Sequence, residues 1–219
     1  MRALQWLLAR LFPPKCVLCQ RVLASEETDL CGPCRRGLPA ADRIDAPVRY
    51  TNGCTAALYY EGKVRESILR YKFSGKSGYS AAFGRILGTR ILRDFSQGFD
   101  LVTFAPVSAR RRRKRGYDQG ELLARAVGRE LGIPAERTLK KIRNNPAQSG
   151  IRDAARRRAN VAGVYRLAGR DPRGLRILLV DDVLTTGATL SECARVLQTA
   201  GAASVTVGAL ACGRPKNKR

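Results

Sequence analysis

One short segment constrains the fold of this 219-residue chain more than any other. The residues from Ile177 to Val180 are apolar, and the apolar run stops at two adjacent aspartates, Asp181 and Asp182. A turn of small and hydroxyl-bearing residues follows, and then apolar residues recur at helical spacing until Gly201 ends the pattern. The segment therefore predicts a buried strand, a turn and a helix, with both carboxylates at the end of the strand.

The chain from residue 50 onward alternates between helical and strand patterns. Helices are expected over Val64–Tyr71, Tyr79–Phe95 and Glu121–Leu131, and further strands over Leu101–Phe104 and Val205–Leu210. This alternation predicts an α/β fold with an open, mostly parallel sheet. Ligands of such sheets bind at the carboxyl ends of the strands, where Pro106 and the aspartate pair both lie.

The turn after the aspartates has the composition of a phosphate site. It consists of Thr185, Thr186, Gly187, Ala188 and Thr189. Small residues let backbone N–H groups approach a phosphate, and the start of the next helix adds a positive dipole. Two carboxylates suit sugar hydroxyls, or a hydrated Mg2+ ion. The pattern indicates a sugar phosphate; the alternative, an ordinary turn with a capping threonine, leaves the second aspartate unexplained.

Four of the seven cysteines form two CxxC pairs, Cys16 with Cys19 and Cys31 with Cys34. Two such knuckles complete the tetrahedral sulfur site of structural zinc, and the segment is too short to fold on a core of its own. A disulfide or a redox CxxC is the alternative. Cys54, Cys193 and Cys212 are scattered and are expected to be small core residues.

The charge balance narrows the class of partner. Lys and Arg number 41 against 18 Asp and Glu, a net charge of +23, and six cations are consecutive over Arg110–Arg115. Such a surface attracts polyanions, although codon bias would also raise the arginine content. The chain has no histidine, which excludes Ser-His-Asp and Cys-His catalysis and every imidazole ligand.

The domain organisation follows from these patterns. We expect an amphipathic helix over residues 1–13, a zinc ribbon over 14–45, the α/β domain over 50–213 and a basic tail over 214–219. Arg10 interrupts the apolar N-terminus and no cleavage site follows, unlike in a signal peptide. No stretch is long enough to span a membrane, so a cytoplasmic protein is expected.

The segment from Leu178 to Thr189 resembles the signature of the type I phosphoribosyltransferases. The resemblance implies that loop 185–189 holds the 5-phosphate of phosphoribosyl pyrophosphate (PRPP), with Pro106, Val107 and Ser108 completing the site. It implies that Asp181 and Asp182 engage the ribose hydroxyls and hydrated Mg2+, and that they act in catalysis if the protein is active. Thr185 departs from the 6-oxopurine enzymes, which have an aspartate there, so salvage of hypoxanthine or guanine is not expected.

Further motifs extend the resemblance to the ComF family of competence proteins. They are Tyr71-Lys72-Phe73-Ser74-Gly75, Arg115-Gly116-Tyr117-Asp118-Gln119, Gln148, and Arg157-Arg158-Ala159-Asn160-Val161, preceded by the four cysteines. Asn144-Asn145-Pro146 departs from the family pattern. The resemblance implies a type I phosphoribosyltransferase fold behind a zinc ribbon. It also implies a cytoplasmic role in handling incoming single-stranded DNA during natural transformation, alongside other DNA-uptake proteins.

Three functional hypotheses remain open on the sequence alone. The first is a PRPP-binding, DNA-handling protein. Its candidate contacts to DNA or pyrophosphate are Arg110, Arg111, Arg112, Arg113, Lys114, Arg115, Arg157 and Arg158. Tyr71, Phe73, Tyr117 and Tyr165 would stack on bases, unless they are core residues. The second is an active phosphoribosyltransferase with an unknown acceptor, in which residues 143–158 close as a lid. The third is a regulator that senses PRPP and binds RNA.

Overall fold

The computed structural model describes residues 13–143 and 160–215 of the chain. Its main sheet has four parallel strands in the spatial order β1-β6-β5-β2. A second, two-stranded antiparallel sheet joins β3 to β4. The strands are β1 (Gly53–Tyr59), β2 (Leu101–Phe104), β3 (Leu139–Lys141), β4 (Tyr165–Leu167), β5 (Arg176–Leu184) and β6 (Ser204–Cys212). The predicted open parallel α/β sheet is confirmed.

Helices cover both faces of the main sheet. They are α1 (Gly32–Arg36), α2 (Gly62–Phe73), α3 (Tyr79–Asp94), α4 (Ala109–Arg115), α5 (Gln119–Leu131) and α6 (Ala188–Thr199). Successive residues of β5 alternate between the two cores, since Leu178 and Val180 pack with α2, α3 and α5, whereas Ile177 and Leu179 pack with α6. This alternation explains why the strand is apolar at every position.

The two helices α3 and α5 cross at very short range on the first face. A Cβ atom added to Gly84 would lie 2.4 Å from the Cβ of Ala126, which is closer than carbon atoms can approach. Glycine at this position therefore lets α3 pack directly against α5 beneath the sheet.

The cysteine-rich segment packs on the same face. Val17, Leu18, Leu23 and Leu30 join the core cluster that contains Ile68 of α2. Ser67 Oγ donates to the carbonyl of Val17 at 2.5 Å, and Arg70 Nη2 donates to the carbonyl of Leu18 at 2.5 Å. Helix α2 thus connects the ribbon to the rest of the fold. Cys193 and Cys212 are buried in the second core and Cys54 packs against it, as predicted.

The strand that carries the aspartates is longer than predicted. β5 does not end at Val180 but continues through both aspartates to Leu184, because β6 still pairs with it as far as Cys212. No secondary structure was predicted for the cationic run. It forms helix α4, which starts after Ser108, whose Oγ accepts a hydrogen bond from the amide of Arg111, and which ends at left-handed Gly116.

Some expectations fall outside the described residues. These are the N-terminal helix, the segment from Asn144 to Ala159 with Gln148, Arg157 and Arg158, and the end of the basic tail. In the described part of the chain, none of the helices has the length and apolar character needed to cross a bilayer.

Candidate functional site

A cleft of about 700 Å3 opens where β2 ends beside β5. The register pairs Phe104, the last residue of β2, with Val180, so β5 and its two aspartates extend beyond their neighbour. The loop of Pro106, Val107 and Ser108 leaves β2 at this level, and Pro106 and Val107 line the cleft with Asp181 and Asp182. The structure therefore brings together the two predicted halves of the site.

The two carboxylates have different surroundings. Lys72 Nζ lies 2.7 Å from Asp182 Oδ1, and the two side chains are only 18% and 5% exposed. Burial would lower the pKa of Lys72, but the charge of Asp182 and their hydrogen bond raise it overall. Burial, and then the charge of Asp182, raise the pKa of Asp181 to about 8. Asp182 is thus a buried carboxylate paired with one lysine, and Asp181 is a partly buried neighbour whose charged form is disfavoured.

The predicted phosphate loop is held in place by the chain that follows the ribbon. Gly187 has a φ of 72°, and a Cβ atom there would lie 2.5 Å from the carbonyl oxygen of Pro47. The amide of Arg49 donates to Ser191 Oγ in the first turn of α6 at 2.9 Å. Both contacts require a close approach, so Gly187 is needed for its left-handed backbone and for its lack of a side chain.

Asp118 positions the opposite loop. Its Oδ2 accepts a hydrogen bond from the amide of Val107, and its Oδ1 accepts one from the amide of Gly120, each at 3.0 Å. It also caps the start of α5. Burial raises the pKa of Asp118 although these amides act to lower it. Its role is to fix the Pro106–Ser108 loop relative to α5.

The motifs Tyr71–Gly75 and Arg115–Gln119 are hydrogen-bonded to each other beside the cleft. The hydroxyl of Tyr71 donates to the carbonyl of Gln119 at 2.7 Å, and that of Tyr117 donates to the carbonyl of Tyr71. Arg115 Nη1 donates to Gln119 Oε1 at 2.6 Å. These bonds hold the end of α2, and hence Lys72, against α5. No role for Lys72 was predicted; its position in a motif between two aromatic residues was the available signal.

Helix α4 divides the predicted cationic run into two sets. Arg111, Lys114 and Arg115 line the cleft, and exposed Arg110, Arg112 and Arg113 are not among its lining residues. Lys141 of β3 also lines the cleft, and burial followed by the charge of Arg111 lowers its pKa to about 8. The cleft thus places a cluster of cations opposite the two aspartates.

The four aromatic candidates for base stacking differ sharply in exposure. Tyr71 and Tyr165 are buried core residues. Tyr117 is half-buried and packs on Tyr71 with their ring centroids 6.0 Å apart. Phe73 is 67% exposed and lines the cleft. Of the four, Phe73 alone presents most of its ring to solvent.

The four predicted metal ligands converge at the N-terminal end. The Sγ atoms of Cys16, Cys19, Cys31 and Cys34 all lie within 4.8 Å of one another, and those of Cys19 and Cys31 are 3.6 Å apart. Zinc–sulfur bonds of about 2.3 Å in a tetrahedron place sulfur atoms about 3.8 Å apart. Burial opposes ionisation of Cys16, yet backbone amides lower the pKa of its thiol to about 7. The geometry and chemistry fit a closed structural zinc site.

Comparison with known proteins agrees with both parts of the structure. Residues 7–48 match the double zinc ribbon domain, and residues 118–219 match the phosphoribosyl transferase domain. The fold and its cleft thus define a zinc-ribbon protein with a phosphoribosyltransferase-type domain.

The relatives identify the family within this class. DNA utilization protein YhgH of Escherichia coli O157:H7 is 30% identical over 206 residues, 89% of this chain and 88% of that protein. Competence protein F of Haemophilus influenzae is 26% identical over 90% of this chain and 96% of its own. Competence protein ComFC of Bacillus subtilis is 30% identical over 67% and 59%, respectively. The chain belongs to the ComF family of competence and DNA utilization proteins.

Proposed function

We propose that this protein binds PRPP with Mg2+ in its cleft and handles single-stranded DNA through the basic surface around it. One observation carries the ligand assignment. Asp182 Oδ2 is buried without any hydrogen-bond partner among the described residues. Buried polar atoms are normally paired, and Asp182 lines the cleft, so a ligand hydroxyl or a hydrated cation there accounts for the unpaired oxygen.

The cleft residues match the parts of such a ligand. The amides and hydroxyls of residues 185–189 suit a phosphate at the start of α6. Asp181 and Asp182 would hold Mg2+ through water, and the ion would supply positive charge beside the pyrophosphate oxygens. Arg111, Lys114 and Lys141 lie where further phosphate charge would be neutralised.

A thermal-unfolding titration tests the ligand assignment. PRPP with Mg2+ should raise the melting temperature in a concentration-dependent manner, because a ligand that binds only the folded state stabilises it. Asp182→Asn should abolish this shift, whereas Asp171→Asn, at an exposed aspartate outside the cleft, should preserve it. Equal shifts in both variants would refute the assignment.

Charge and family support the DNA-handling role. The net charge is +23, and exposed arginines of α4 border the cleft. The relatives carry the names of DNA utilization and competence proteins. Labelled single-stranded DNA should therefore bind with an affinity that falls steeply as salt rises. Absence of binding at low salt would refute this role, and competition by PRPP with Mg2+ would locate DNA in the cleft.

A phosphoribosyltransferase reaction is the second candidate. The lining of the cleft also includes Leu69, Phe73 and Tyr165, an apolar and aromatic set suited to an acceptor base. In this case Asp181 and Asp182 would stabilise the charge that develops on the ribose. Pyrophosphate release that requires an acceptor and is lost in Asp182→Asn would support it, and an acceptor screen without product would oppose it.

A further inference from the structure

We propose that Phe73 is a stacking platform for a base of single-stranded DNA at the mouth of the cleft. The inference rests on the proposed DNA-handling role. It names the side chain that would contact a base rather than the phosphate backbone. Phe73 is the last residue of α2, and 67% of its surface is exposed although it is a large apolar ring. An exposed phenylalanine in a cleft wall loses hydrophobic stabilisation that a stacked partner would recover.

The surroundings of the ring leave one face for a ligand. The guanidinium carbon of Arg115 lies 4.8 Å from the ring centroid and covers one side. Arg115 is itself held by its hydrogen bond to Gln119. A base on the opposite side would complete a stack of guanidinium, ring and base, in which the fixed cation also restricts movement of the phenylalanine ring.

The charges around Phe73 favour a nucleic acid strand over an apolar partner. Arg111, Lys114 and Arg115 line the same cleft, and Arg110, Arg112 and Arg113 extend the positive charge along the exposed side of α4. A base on Phe73 would therefore have phosphates within reach of these cations. This combination of a basic surface and an accessible aromatic ring is the arrangement that binds single strands without reading sequence.

Matched oligonucleotides separate stacking from charge. The probes are a fluorescently labelled oligothymidylate and an abasic oligomer of the same length, which has the same phosphates but no bases. Affinities are measured by anisotropy for the wild type, Phe73→Ala, Phe73→Trp and Tyr50→Ala. Tyr50 is the control because it is 53% exposed but does not line the cleft.

The expected result is a base-dependent effect at one residue. Phe73→Ala should weaken oligothymidylate binding by about fivefold or more, the lower end of a single stacking contact, and leave abasic binding unchanged. Phe73→Trp should retain the preference for bases, and Tyr50→Ala should behave as the wild type. Equal loss for both probes would mean that Arg115 was displaced and would overturn the inference.

Two further outcomes separate failure of the stacking proposal from failure of the proposed DNA-handling role. A wild type that binds both probes equally, or a Phe73→Ala variant that keeps the full preference for bases, would refute stacking on Phe73 while DNA binding stands. A wild type that binds neither probe at low salt would refute the DNA-handling role itself.

Discussion

Lys72 Nζ lies 2.7 Å from Asp182 Oδ1, so a residue of α2 neutralises one of the two adjacent carboxylates on β5. Both side chains are largely buried, and within the part of the chain that the structure describes the second oxygen of Asp182 has no hydrogen-bond partner. Because a carboxylate removed from water must be compensated, Lys72 is required for the site to exist in this form, and any cation or hydroxyl that binds there must share Asp182 with it.

Removal of this lysine should destabilise the fold through the unpaired carboxylate. Lys72→Met should lower the free energy of unfolding by about 3 kcal/mol, and the double variant with Asp182→Asn should recover part of that loss. Denaturant unfolding measures the free energy of unfolding of the single and the double variant. Lys63→Met, at an exposed lysine of the same helix, is the control. A Lys72→Met protein as stable as this control would contradict the structure.

The phosphate loop should tolerate no side chain at Gly187. Gly187→Ala adds the cost of a left-handed backbone, about 1 kcal/mol, and a clash with the carbonyl of Pro47 at 2.5 Å. Gly174 has the same φ of 72° and open space around it, so Gly174→Ala isolates the backbone cost. Only Gly187→Ala should also abolish stabilisation by PRPP with Mg2+. A comparable decrease in the free energy of unfolding of both variants would mean that the loop moves away from Pro47.

Binding of anionic ligands should weaken as pH rises through about 8. Burial and the charge of Arg111 lower the pKa of Lys141 to about 8, so Lys141 loses its proton there. An anion in the cleft favours the charged form and raises this pKa, which links binding to proton uptake. Affinity for PRPP measured across pH 7 to 9 should fall in the wild type. The fall should be smaller in Lys141→Met. In Lys140→Met, at the exposed neighbour, it should equal that of the wild type. A pH profile of Lys141→Met identical to that of the wild type would exclude Lys141 as the titrating group.

The fold was predictable from sequence because its main signals are local. The apolar run from Ile177 to Val180 and the helical pattern through Leu190 and Leu197 each required only neighbouring residues, and the structure places them in β5 and α6. The four cysteines were equally informative, since their spacing alone defines two knuckles.

The features that sequence reasoning missed depend on partners distant in the chain. The extension of β5 through Asp181 follows from pairing with Ala209 of β6, after β2 has already ended. The position of Lys72 beside Asp182 depends on how α2 packs on the sheet. Likewise, six consecutive cations do not reveal which of them face the cleft until α4 forms and fixes its orientation.

Loss of zinc should destabilise the helix that lines the cleft as well as the ribbon. Helix α2 donates hydrogen bonds from Ser67 and Arg70 to the knuckle carbonyls of Val17 and Leu18, and Lys72 lies two residues after Arg70 in the same helix. Cys31→Ser should remove the metal, lower the melting temperature by about 10 °C and increase hydrogen exchange in α2. Cys54→Ser, outside the cluster, should retain zinc. Unchanged exchange in α2 of a zinc-free protein would show that the ribbon does not support this helix.

The exposed side of α4 should contribute to DNA binding but not to PRPP binding. Replacement of Arg110, Arg112 and Arg113 by glutamine should weaken single-stranded DNA binding and reduce the slope of log affinity against log salt by about 2, because each phosphate contact contributes about 0.7. PRPP binding should remain, since these side chains do not line the cleft. Replacement of Arg111 and Lys114, which line the cleft, should weaken PRPP binding as well as the binding of a DNA strand that stacks on Phe73. Glutamine at Arg36, Arg65 and Arg129, exposed on other helices, removes the same charge as the triple variant and is its control. If this control reduced the salt slope equally, net charge rather than the surface of α4 would determine DNA binding.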